Sequence, residues 1–180
     1  HGQIRRQRQM CIRDSSEALS FLGVAEQSTQ QEMFDYYPKA LQAFIEKGIE
    51  LEMLNPELKT FDLNKLGKAI NPDNDFKFTY LGLQTLYDRY FIHSNDIRYE
   101  LPQIFFMRVA MGLAIEEKDR ENRAIEFYNL LSSFDYMSST PTLFNSGTMR
   151  PQLSSCYLTT IPDDLDCLLY TSDAADESVR

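Results

Sequence analysis

Residues 138–160, SSTPTLFNSGTMRPQLSSCYLTT, decide how this chain is read. Their first half crowds hydroxyls around Pro141 and Gly147 and shows no helical period, which reads as a turn-rich loop. From Leu153 to Ile161 apolar and polar residues alternate and strand formers dominate, which reads as a short strand carrying Cys156. One strand has no stability by itself. The reading therefore expects the fold to continue past residue 166.

Upstream of Tyr136 the pattern is helical. SSEALSFLGVAEQ, from Ser15, opens with hydroxyls before a short apolar pattern and reads as a helix start. Met33, Tyr37, Leu41, Phe44 and Ile49 recur at helical spacing, with Pro38 expected to kink or restart that helix. A short amphipathic helix is expected over residues 63–70, and another from about Thr79 to Phe91. HSNDIRYE reads as a turn. Pro102 then sits in the first turn of LPQIFFMRVAMGLAIEE, which is apolar nearly all round and reads as a buried helix. DRENRAIEFYNLLSSFD reads as amphipathic, with Ala124, Phe127, Leu130 and Leu131 facing inward.

Two segments read as foreign to the fold. RRQRQMCIRDS at residues 5–15 and CLLYTSDAADE at 167–177 can be encoded by opposite strands of one oligonucleotide. They resemble a library-preparation adaptor translated at both ends of a DNA insert. Residues 1–15 and 167–180 are therefore read as non-native tails, residues 16–135 as a helical N-terminal domain, and 136–166 as the start of a second unit. Of three cysteines, Cys11 and Cys167 fall in the tails, so only Cys156 remains and a disulfide framework is not expected.

The chain has 18 basic and 27 acidic residues, a net charge of −9. That balance disfavours non-specific nucleic-acid binding, which needs a basic surface. No apolar run approaches the roughly 20 residues that span a bilayer. A lone thiol fits a reducing, cytoplasmic compartment.

Each candidate site residue has two readings. Cys156 is a small packing residue or a nucleophile, redox thiol or metal ligand; His93 is a surface or capping residue or an imidazole partner for that thiol. Thr140, Thr142, Ser146 and Thr148 are turn hydroxyls or phosphate donors. Asp163, Asp164 and Asp166 are a solvated helix start or the cap of a helix that begins after the strand. Arg108, inside the apolar helix, is expected to pair with a buried carboxylate.

Together, SSTPTLFNSGTMRPQLSSCYL and the following DDLD resemble the first active-site segment of the ribonucleotide reductase large (alpha) subunit family. A T-P pair sixteen residues before the cysteine of an S-S-C run is kept here as Thr140-Pro141 and Ser155-Cys156. The helix containing ELPQIFFMRVAMGLAI looks like the family's N-terminal helical domain. The resemblance implies a mainly α chain: a helical domain followed by the first strand of a ten-stranded α/β barrel whose remainder is missing.

It implies further that Cys156 is one of two redox thiols that reduce the substrate and become a disulfide. Thr140, Ser155 and Cys156 would hold a ribonucleoside diphosphate, and Asp163 would belong to an allosteric site for dNTP or ATP effectors at a large-subunit homodimer interface. No metal or cofactor is expected on these residues. The radical would come from a metal-containing small (beta) subunit, and reducing equivalents from thioredoxin or glutaredoxin. The helix around LPQIFFMRVA favours the class I ribonucleoside-diphosphate enzyme over the adenosylcobalamin-dependent class. A helical interaction module without chemistry is the competing reading from another class.

Overall fold

The computed structural model describes residues 30–95 and 97–158, with side chains described from Tyr36 onward except at Asp96. The two expected tails, the expected first helix and Asp163 lie outside the described residues.

Helix α1 spans Gln30–Glu50 and buries Tyr37, Ala40, Leu41, Phe44 and Ile45. It runs continuously through Pro38, so the expected restart does not occur. Proline lacks an N–H and so removes one helical bond. The ring instead lies against α2 (Leu63–Ala69) at Gly67, where any Cβ would collide with Pro38. A proline and a glycine thus let two helices approach closely.

Short polar caps punctuate the connections. A 3-10 turn, Pro56–Thr60, begins where Asn55 Oδ1 accepts from Glu57 N at 2.9 Å. Asp62 Oδ1 accepts from Lys65 N at 3.0 Å and starts α2. A second 3-10 turn, Pro72–Lys77, leads to α3 (Tyr80–Arg89), whose Thr79 Oγ1 accepts from Gly82 N at 3.1 Å. These side chains satisfy N–H groups that a helix start leaves without backbone partners.

The HSNDIRYE segment, expected as a turn, is a small antiparallel hairpin. Strand β1 (His93–Ser94) pairs with β2 (Ile97–Arg98), His93 opposite Arg98 and Ser94 opposite Ile97. Asn95 takes the positive φ of 50° that the tight connection requires.

Helix α4, Pro102–Ala114, is the centre of the fold. Eleven of its residues are buried, from Pro102 through Met111 and again at Ala114, as its all-round apolar sequence requires. It packs most extensively on α5, Arg120–Ser132. On α5 the buried residues are Ala124, Tyr128, Leu131 and Ser132, while Leu130 is exposed and Phe127 half-buried. The expected inward face is therefore rotated toward Tyr128. The reason is polar. Tyr128 Oη donates to Gln103 Oε1 of α4 at 2.8 Å and accepts from Asn71 N at 2.9 Å.

That bond belongs to a buried network. Gln103 Nε2 donates to Asp75 Oδ1 at 2.7 Å, and Tyr37 Oη donates to Asp75 Oδ2 at 2.8 Å. Removal from water pushes the Asp75 carboxyl up to about 6, against the two donors, which favour its charged form. Burial likewise pushes the Tyr128 phenol up to about 12.

Beyond α5, residues 140–145 form a short helix, α6 (Thr140–Asn145), where the sequence pattern was read as loop. The expected strand over 153–161 is not a strand at its described residues, which run irregularly from Pro151 to Leu158. Among the described residues none forms a ladder with it, and a strand without a neighbour has no hydrogen bonds to define it. The described chain is mainly helical, with only the two-stranded hairpin as sheet. No helix among the described residues is long and apolar enough to cross a membrane.

Candidate active-site loop

Arg108 is the one charged side chain in α4's apolar run. Its side chain and that of Glu100 are fully buried, with Nε 2.6 Å from Glu100 Oε1. The expected ion pair is present. A buried charge persists only when paired and hydrogen-bonded on its remaining valences. Glu100 Oε2 accepts from Ile92 N at 2.9 Å and from Arg108 Nη2 at 3.4 Å, and Arg108 also donates to the loop. Nη1 donates to Ser146 O at 2.6 Å and Nη2 to Leu143 O at 3.1 Å. These carbonyls lie at the end of α6, where a helix leaves acceptors without N–H partners. Arg108 therefore serves as a cap supplied from the core. Burial, with the adjacent Glu100 charge adding to it, holds the Tyr99 phenol above its ordinary range; Arg108 opposes the shift.

The loop after α6 is pressed against α4. Ser146 Oγ donates to Val109 O at 2.7 Å. A Cβ on Gly112 would overlap Gly147 N and Ser146 Oγ, so the approach depends on glycine there. Gly147 turns with φ of 76°, a conformation that strains other residues. Gly147 O then accepts from Asn55 N at 3.0 Å, and Met149 N donates to Met53 O at 3.1 Å. The loop is thereby tied to the segment after α1.

The chain next doubles back. Thr142 Oγ1 donates to Leu153 O at 3.2 Å, and Asn145 Nδ2 donates to Gln152 O at 2.7 Å. Side chains of α6 thus hold the stretch just before Ser155. Thr148 Oγ1 donates to Asn145 O at 2.8 Å, an ordinary turn bond. Thr142, Ser146 and Thr148 all have structural partners, in keeping with the turn reading.

Thr140 is exposed, and its Oγ1 lies 3.3 Å from Tyr90 Oη. Ser155 and Cys156 are exposed as well. Among the described residues no hydrogen bond joins Thr140 to Ser155 or Cys156. The structure brings α6 beside the approach to the thiol and leaves the three side chains themselves unlinked. Among the described residues nothing covers Cys156. His93 is exposed on the hairpin, its Nδ1 3.4 Å from Phe91 O, and makes no hydrogen bond to Cys156. Among the described residues no group of three or more His, Cys, Asp or Glu could hold a metal.

Tyr90 was missed by sequence reasoning. Its ring stacks on Phe144 of α6, centroids 4.7 Å apart and planes 15° apart. Both rings line a cleft of about 450 Å³ shared with Arg89, His93 and Arg150. Tyr90 closes α3 as its C-cap, and nothing in a helix-end tyrosine announces a contact fifty residues away.

A family model described as ribonucleotide reductase, all-alpha domain, matches residues 76–151, from the second 3-10 turn to the turn after α6. This region belongs to the ribonucleotide reductase large-subunit family. The chain is similar, at 60% identity over 113 residues, to the ribonucleoside-diphosphate reductase subunit alpha of Chlamydia muridarum, a match covering 62% of this chain and 11% of that protein. It is 49% identical over 107 residues to the subunit alpha of Helicobacter pylori, 59% of this chain and 14% of that protein. A large subunit from Caenorhabditis elegans is 45% identical over 101 residues, 56% of this chain and 12% of that one. The chain thus spans about a tenth to a seventh of these relatives' lengths.

Proposed function

We propose that the chain is part of a class I ribonucleoside-diphosphate reductase large subunit, an oxidoreductase that makes deoxyribonucleotide precursors for DNA. The shared name of the relatives carries this reading, and the Thr140-Pro141 and Ser155-Cys156 spacing supports its local detail. In the proposed reaction the substrate's 2′-hydroxyl leaves as water and hydrogen takes its place. Two thiols supply the two electrons and two protons and close to a disulfide. Cys156 is one of them.

Thr140 and Ser155 hold the nucleoside diphosphate beside the thiol, because reaction requires the participating atoms within about 3–3.5 Å in the bound complex. Asp163 belongs to the site that reads dNTP or ATP effectors across a large-subunit homodimer. The initiating radical arises on a metal-containing small subunit, and thioredoxin or glutaredoxin re-reduces the disulfide in the cytoplasm. Residues 16–135 form the helical domain and residues 136–166 open the barrel.

The deciding experiment uses the full-length protein that carries this region. Cys156→Ser retains nucleoside diphosphate binding and loses multiple-turnover deoxynucleotide formation with thioredoxin or glutaredoxin, since a hydroxyl forms no disulfide. Normal turnover by that variant would return Cys156 to a non-catalytic role. The 180-residue chain by itself forms no deoxynucleotide.

A further inference from the structure

We propose that Tyr90 is a positioning residue for substrate binding, acting through the Thr140 hydroxyl. The inference rests on the reading of Thr140 as a substrate-holding residue and adds the group that orients it. Thr140 is an exposed side chain at the start of a six-residue helix, and its Ser139 cap makes no side-chain capping bond. An exposed threonine has a freely turning hydroxyl unless a neighbour fixes it. Tyr90 Oη, 3.3 Å from Thr140 Oγ1, is that neighbour.

Tyr90 is itself held. Its ring stacks on Phe144 and meets Phe105 of α4 edge-on, with centroids 6.3 Å apart. Its N–H donates to Leu86 O at 2.8 Å. Phe144 lies one turn along α6 from Thr140, so one side chain reaches both ends of that helix, its ring at one and its hydroxyl at the other. Arg108 holds the same helix through Leu143 O and Ser146 O. A short helix has little stability of its own. Arg108 fixes where α6 sits, and the Tyr90 hydroxyl fixes which way its first hydroxyl points. Either oxygen can donate in this pair. Thr140 therefore keeps a proton to give to, or a lone pair to accept from, the substrate.

The test is a cycle of variants in the full-length enzyme. Tyr90→Phe keeps the ring and both aromatic contacts and removes only the hydroxyl, so the melting temperature stays close to the parent's. The expected result is a rise in KM for the ribonucleoside diphosphate of about three- to tenfold, the worth of one hydrogen bond. The kcat stays within about twofold, because the thiol chemistry is untouched. Thr140→Ala raises KM as well, and the double variant is no worse than Thr140→Ala by itself, since Tyr90 has then nothing left to orient.

Three outcomes overturn the proposal in distinguishable ways. If Thr140→Ala leaves KM unchanged, the assignment of Thr140 to substrate fails, and the role of Tyr90 falls with it. If Thr140→Ala raises KM but Tyr90→Phe does not, Thr140 binds substrate without help and only the positioning role is wrong. If the two effects add in the double variant, Tyr90 acts by another route.

Discussion

Helix α4 and the segment Pro151–Leu158 are opposites. In α4 eleven residues are buried, and its one charged side chain is matched by Glu100 and by loop carbonyls. In the segment every residue but Leu153 is exposed, and no ladder defines it among the described residues. The first is complete within the described chain: its packing and polar partners are all on hand. The second carries Ser155 and Cys156, two of the proposed site residues, and Thr142 and Asn145 hold its approach. The difference teaches that a segment's order follows the partners within its reach: burial among the described residues builds the first, and the second has few partners among them.

The sharpest way to break the contrast is to empty the core of its charge pair. Arg108→Ala leaves Glu100 buried without a partner and strips α6 of its cap. Losing one member of a buried pair costs about 3–5 kcal/mol. Denaturant unfolding reads that loss, and hydrogen exchange at residues 143–147 rises together with it. A variant whose midpoint stays at the parent's would show that the pair contributes nothing to holding α6.

Tyr128→Phe tests whether the rotation of α5 is driven by polarity. It strands the buried Gln103 Oε1, at about 1–3 kcal/mol for a buried group left unsatisfied, and removes the part-buried acceptor of Asn71 N. A neutral outcome would place the rotation on packing by shape.

Asp75→Asn sharpens the same network through pH. The folded-state carboxyl, pushed up to about 6, holds its proton more tightly than an unfolded one near 3.8. Its contribution to stability is fully present below about pH 3.8 and is lost as pH rises through about 6. The asparagine variant escapes that loss, and its amide presents a carbonyl to Gln103 and an N–H to Tyr37. Its stability relative to the parent therefore grows from pH 4 to pH 7, by about 1–2 kcal/mol after allowing for the residue's partial exposure. Parallel stability curves for the two proteins across that range would contradict the burial argument.

The smallest effect belongs to the thiol. Cys156→Ala changes stability by a few tenths of a kcal/mol at most, as exposed substitutions do. Set beside the loss of turnover expected of Cys156→Ser in the full-length protein, that small change separates framework from chemistry. A large destabilisation would mean that Cys156 packs against something after all.

How much of this was legible follows from where each signal lies. Helix α4 was readable because an apolar run of that length with Pro102 at its start has few other solutions. That Arg108 needs a carboxylate was readable too, since no lone charge survives there. Helix α6 was misread because prolines, glycine and hydroxyls hid its period; Ser139 followed by a first-turn Pro141 was the overlooked start signal. The inward face of α5 was misjudged at Leu130 because hydrophobicity outweighed Tyr128, whose hydroxyl had a buried destination that no local pattern reveals.

The sequence by itself determined the helical class, the buried helix, the need for an ion pair inside it, and the Thr140–Cys156 spacing that pointed to the family. The first three depend on composition and periodicity and the last on a motif that resembles the family's, and all are local. Only the tertiary structure decided that Glu100 is the partner of Arg108, that α6 is capped from the core, that Gly112 admits Gly147, and that Tyr90 reaches Thr140. Such pairings are set by which elements pack together, which no local pattern states, and packing fixes their distances.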